Sequence, residues 1–161
     1  MTSSSTFSRR GLIIGAAAVP LLGAPLISHA TELPLVSVSK DPSCGCCGAW
    51  VEHIESAGFP VSVVETTELD AVKRRLGVPP ELASCHTAEV ADYVVEGHVP
   101  AAAIQRLLSE RPAATGLAVP GMPIGSPGME VPGVESELFD VFLFRPTGHT
   151  TFAQFRGAEA L

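Results

Sequence analysis

The stretch "KDPSCGCCGAW", residues 40–50, packs three of the chain's four cysteines into positions 44 to 47. Three uses compete for such a cluster: a disulfide staple, a C-x-x-C redox pair of Cys44 and Cys47, and a soft-metal site. Its flanks decide the fold. Before it, "LPLVSVSK" (33–40) alternates apolar and polar residues as a strand does. After it, from Cys47 to Ala57, Trp50, Ile54 and Ala57 share one helical face, and Gly58 is placed to end the helix. A cysteine cluster between a first strand and a first helix meets the positive end of the helix dipole, which favours thiolate.

Working outward, "FPVSVVET" (59–66) reads as a second strand. Thr67 with Asp70 reads as the cap of a second helix, whose stripe is Leu69, Val72 and Leu76 and which Gly77 and Pro79-Pro80 end. "ELASCHTAEVADYVVEGHVP" (81–100) begins with a polar approach and becomes strand-like around Val90 to Val95. Pro100 fits the first turn of a third helix, with Ile104, Leu107 and Leu108 as its buried stripe. "GLAVPGMPIGSPGMEVPG" (116–133) is too dense in glycine and proline for a helix. "LFDVFLFR" and "TTFAQFRG", separated by Pro146-Thr147-Gly148, form a closing hairpin. The expected class is α/β: a thioredoxin-like domain, with a central mixed sheet flanked by helices and a C-terminal hairpin.

The 161 residues suit one domain, and nothing in them repeats at a fixed period. Residues 1–30 stand apart. Arg9-Arg10 precedes an apolar run of small residues that ends in Ser28-His29-Ala30, the pattern of a twin-arginine export signal cleaved near Ala30. Pro20, Pro25 and the shortness of the run argue against a retained anchor, so no stable membrane span is expected in the mature domain, residues 31–161. The signal carries two of the 10 Lys+Arg and none of the 17 Asp+Glu, which leaves 8 against 17 and a net charge of minus 9. So acidic a domain is a poor nucleic-acid binder and mildly favourable to cations. The expected location is the periplasm or another exported compartment.

Cys46 beside Cys47 would scramble a simple dithiol exchange, and a staple across residues 44–47 constrains little of the unfolded chain. Converging thiolates suit a soft cation, because bridging sulfurs share ions. Cys85-His86 adds a thiol and an imidazole, and His98 lies in a turn that Pro100 stiffens. Met122 and Met129 stand in the Gly/Pro loop, where there is little apolar bulk to fill, and thioethers are Cu(I) ligands. Trp50 reads as core, and His53 and His149 as surface residues. The residues favour a metal site. The Cys44/Cys47 oxidoreductase remains the competing reading, with a structural zinc or disulfide module behind it.

The motifs "CGCCGAW", "ELASCHTAEV", "YVVEGHVP", "GLAVPGMPIGSPGME" and "FDVFLF", in that order, resemble the CopG-type family of periplasmic copper-resistance proteins, long catalogued as a domain of unknown function. The resemblance covers nearly all of the mature chain. It implies a thioredoxin-like fold and a multinuclear Cu(I) site of more than one ion, carried first by Cys44, Cys46, Cys47 and Cys85. His98, Met122, His86 and Met129 follow as further ligands. It also implies sequestration, relay or redox conversion of copper, with other envelope copper-handling proteins as partners.

Overall fold

The computed structural model of the chain describes residues 32–161; the expected export signal lies outside them. Strand β1, Val36–Lys40, leads into helix α1, Gly45–Ser56, and strand β2, Val61–Glu65. Helix α2, Leu69–Leu76, and a 3-10 turn, Pro80–Leu82, precede β3, His86–Val90, and β4, Tyr93–Glu96. Helix α3, Ala101–Glu110, is followed by β5, Gly116–Ala118, β6, Leu138–Arg145, β7, Gly148–Arg156, and β8, Glu159–Ala160. Among the described residues the strands form one mixed sheet in the order β2-β1-β3-β4-β5-β6-β7-β8. β1 runs parallel to β2 and β4 to β5; the other neighbours are antiparallel.

Strand alternation sorts the core into two layers. Val36, Val38, Ala88, Val90, Val95, Leu117 and Val141 pack with Trp50 and Ile54 of α1 and Ile104 and Leu107 of α3. Their strand neighbours Val94, Ala118 and Phe144 cluster with Val78 and Leu82 around the 3-10 turn. The alternation also hands Thr87 and Glu96, the neighbours of Ala88 and Val95, to the second layer. Among the described residues no helix is long and apolar enough to cross a membrane.

Several local expectations are corrected. β1 starts at Val36 instead of Leu33, because Pro34 has no N–H to give the ladder. α2 begins after Glu68 without a side-chain cap, since the Thr66 hydroxyl, not that of Thr67, accepts the Glu68 N–H at 3.0 Å. The buried residue of α2 is Lys73, while Leu69, Val72 and Leu76 are half-buried. The single strand expected around 90–95 is a hairpin: Val90 pairs with Tyr93 across Ala91-Asp92, with Ala91 at φ 49°. No glycine marks that turn. The closing hairpin stands where expected, with Arg145 opposite Gly148.

The β4–β5 pair needs glycine at 116, where a Cβ would stand 1.8 Å from the Val94 carbonyl oxygen. Gly116→Ala should therefore push the two strands apart and lower stability by at least about 2 kcal/mol. Urea unfolding checks this, and a midpoint equal to that of the parent would contradict the packing.

Candidate metal centre

The turn after β1 delivers the first cysteines. Asp41 accepts the Ser43 N–H on its side chain at 2.8 Å and the Cys44 N–H on its carbonyl at 3.1 Å, which sets Cys44 at the N-cap of α1. Cys46 and Cys47 follow in the first helical turn, where no acidic residue offsets the helix dipole. Cys44 and Cys47 are joined as a disulfide, their Cα atoms 5.5 Å apart. As a staple this pair is expected to constrain little, and it stays open as the C-x-x-C redox pair. One helical turn, however, brings residues three apart to the Cα spacing a disulfide needs. Cys46 keeps a free thiol, with its Sγ 3.6 Å from that of Cys44.

The second half arrives from the sheet. Cys85 immediately precedes β3, and His98 follows β4, where the Gly97 N–H donates to the His86 carbonyl at 3.0 Å. The Cys85 Sγ lies 3.0 Å from His98 Nε2 and 3.4 Å from His86 Nδ1. The sulfurs of Cys44, Cys46, Cys47 and Cys85 lie within 4.8 Å of one another, as do the ligand atoms of Cys85, His86 and His98. His98 Nδ1–H donates to the Pro127 carbonyl at 2.8 Å, so its Nε2 lone pair faces Cys85. The His86 ring is wholly buried against Trp50, centroid to centroid 4.4 Å, and its Nε2 has no hydrogen-bond partner among the described residues.

The glycine-proline loop closes over the site. Gly128, at φ +86°, sits where a Cβ would meet Trp50 N at 2.7 Å and Cys46 O at 2.8 Å, so only glycine lets the loop lie on α1. Met129 follows it, partly buried. The Ser84 hydroxyl donates to the Gly121 carbonyl, which ties the residue before Met122 to the residue before Cys85. The Met122 side chain is about half exposed, at 51%. The four cysteines, His86 and His98 thus converge, and Met122 and Met129 lie in the loop that follows β5. Trp50 is core, as expected, and donates to the Val99 carbonyl at 2.9 Å. His53 is not an ordinary surface residue: its Nε2 accepts the Ala101 N–H at 3.1 Å and caps α3. His149 is exposed.

Burial keeps Cys85, His86 and His98 uncharged when metal-free. It raises the Cys85 thiol to about 11, with Cys46 adding to the shift. It pushes His86 well below the ordinary histidine value, with His98 and Lys73 adding to the effect. His98 is lowered by burial too, against the opposing pull of the Pro127 carbonyl and Glu130. Neutral imidazoles and thiols that become thiolate on metal binding are a soft donor set.

A buried clamp that sequence reasoning missed holds this half in place. Glu96, fully buried, accepts from Lys73 Nζ at 2.5 Å, Ser84 N–H at 2.6 Å and the Thr87 hydroxyl at 2.7 Å. Ser84 and Thr87 bracket Cys85-His86, so one carboxylate fixes both ends of the dipeptide. The available signal was an acid closing the run "YVVE" in a strand.

Residues 82–129 match a family model described as a protein of unknown function, DUF411. No curated protein matches the chain. Two solved structures, copper resistance protein CopG in form 1 and in form 2, are each 43% identical to it with a TM-score of 0.72. The matches cover 78% and 77% of this chain and 100% and 99% of theirs. Fold and site define an α/β protein with a cysteine-histidine centre able to hold a soft metal. The chain belongs to the CopG family of copper resistance proteins.

Two outcomes follow for the metal-free chain. Glu96→Gln or Lys73→Met alone leaves an uncompensated buried partner and should cost about 3–5 kcal/mol, whereas the double variant should lose much less than the sum. Additive losses in denaturant melts would show the pair to be uncoupled. The second concerns pH. Burial holds His53, His86 and His98 below the ordinary histidine value of about 6.5 in the folded chain. Below about pH 6.5 the unfolded chain therefore binds protons that the folded chain does not. As the pH drops through that window stability should drop with it, by up to about 1.4 kcal/mol per pH unit for the wholly buried His86 and by less for the partly solvated His53 and His98. Urea midpoints at about pH 7 and about pH 5.5 check the sign; a higher midpoint at the lower pH would be the opposite result.

Proposed function

We propose that this chain is an exported copper-binding protein whose reduced cysteines bridge more than one Cu(I) ion, for sequestration, relay or redox conversion in copper resistance. The observation that carries this reading is the meeting of four sulfurs within 4.8 Å, with His98 Nε2 turned toward Cys85 at 3.0 Å. The names of the CopG structures agree with it. Cys44, Cys46, Cys47 and Cys85 are the bridging ligands, and His98, His86, Met122 and Met129 complete coordination. Arg9-Arg10 and the apolar run after it support export to the periplasm. A thioredoxin-like fold is supported by the β2-β1-β3-β4 order, with α1 between parallel β1 and β2 and α3 after β4.

The closed disulfide at a helix N-terminus favours a second reading, a thiol-disulfide oxidoreductase of the cell envelope using Cys44 and Cys47. One experiment separates the two. The anaerobically reduced chain is offered Cu(I) and Zn(II) in competition, followed by metal analysis and alkylation. The copper reading expects more than one copper per chain, thiols shielded from alkylation, no displacement by zinc, and a lower stoichiometry in Cys46→Ser. A chain that takes no copper but reduces or oxidises dithiol substrates, with Cys46→Ser unaffected, is the oxidoreductase.

A further inference from the structure

We propose that the chain with its Cys44–Cys47 disulfide closed holds one copper ion on Cys85, His86 and His98, a three-donor site that works before the multinuclear set can form. The proposal rests on the reading of the centre as a copper site and names which part of it serves each thiol state.

Closing the disulfide withdraws two of the four sulfurs, because the thiolate is the metal ligand and a disulfide sulfur is not one. Cys85, His86 and His98 are untouched by that bond, and their ligand atoms still lie within 4.8 Å of one another. The separations are nearly those a metal requires. For metal-nitrogen and metal-sulfur bonds of about 2.0 and 2.3 Å, ligand atoms at tetrahedral to trigonal angles stand roughly 3.5–3.8 Å apart. Here Cys85 Sγ is 3.0 Å from His98 Nε2 and 3.4 Å from His86 Nδ1, so both imidazoles need retreat by less than about 1 Å.

The supporting groups are those of a ligand site. The Pro127 carbonyl fixes the His98 tautomer that leaves Nε2 free to bind. His86 is wholly buried, its ring lies against Trp50, and its Nε2 has no hydrogen-bond partner among the described residues. Its Nδ1 faces the Cys85 sulfur at 3.4 Å, a weak hydrogen-bond partner that becomes a fellow ligand when a cation stands between the two. Charge points the same way. One Cu(I), one thiolate and two neutral imidazoles sum to zero, which suits a buried place, whereas four thiolates around a single Cu(I) would leave three negative charges.

On binding, the Cys85 S–H bond breaks, an S–Cu(I) bond forms and the proton leaves to solvent; copper keeps its oxidation state. Opening the disulfide is a separate exchange with an external dithiol. The dithiol is oxidised to its own disulfide, and Cys44 and Cys47 each gain a hydrogen.

The test uses the full chain with the disulfide intact, verified by intact mass after alkylation, and offers it Co(II) and, separately, Cu(I) under anaerobic conditions. The expected result is one equivalent bound, thiolate-to-cobalt charge-transfer absorption, and loss of that absorption in Cys85→Ser. In the unsubstituted chain Co(II) should also broaden the ring-proton resonances of His86 and His98, a readout that needs no variant to fold. Absorption that survives in Cys85→Ser, or histidine resonances that do not respond, overturns the proposal. The reduced chain is titrated with Cu(I) in parallel. If it takes several ions while the disulfide form takes none, the one-ion site is wrong and the copper reading stands; if neither form takes copper, both fall.

Discussion

A carboxylate with no access to water, that of Glu96, is the constraint on which the site half of the molecule depends. It sits at the end of β4 and is neutralised by Lys73 from α2. Its remaining lone pairs take the Ser84 N–H and the Thr87 hydroxyl on either side of Cys85-His86. A buried ion pair of this kind adds little net stability, because desolvation offsets the attraction. Its contribution is geometric: α2, β3, β4 and the Cys85 turn share one polar anchor in an otherwise apolar layer. Any displacement of the Cys85 backbone would strand a charge.

The opposite half of the site is fixed by backbone contact instead. Gly128 lies against the backbone of Cys46 and Trp50, and the adjacent Pro127 carbonyl orients His98. The loop between β5 and β6 therefore does two things in two residues: it covers the first turn of α1 and selects an imidazole tautomer. Neither task needs a specific side chain. Glycine supplies the close approach at 128, and the carbonyl that orients His98 is backbone.

This division sets what was legible in the sequence. α1 and α3 could be read because Trp50, Ile54, Ile104 and Leu107 repeat at helical spacing, and the β6–β7 hairpin because Pro146-Thr147-Gly148 marks its turn. The cysteines and His98 were legible as chemistry, because thiols and an imidazole are rare enough to be conspicuous. The β3–β4 hairpin was not, since Ala91-Asp92 carries no glycine signal. Nor was Lys73, which stands among Leu69, Val72 and Leu76 and looks solvent-facing until Glu96 is seen beneath it. The Cys44–Cys47 pair was legible as a C-x-x-C motif, but spacing alone does not choose between a disulfide and metal-binding thiols. His53 escaped because helix periodicity says nothing of a partner 48 residues away.

The site is also graded from solvent to core, and the grading bears on how a cation would enter it. Cys44, Cys46 and Cys85 are half-buried, whereas Cys47, His86 and His98 are sealed. A cation meets sulfur first and imidazole last. The chain's net charge of minus 7 raises the cation concentration near the surface without aiming it at any one place. Within the first turn of α1 the helix dipole acts the other way, disfavouring a bare cation and favouring thiolate. Entry therefore depends on a thiol losing its proton as the metal arrives, and Cys85 holds its proton firmly.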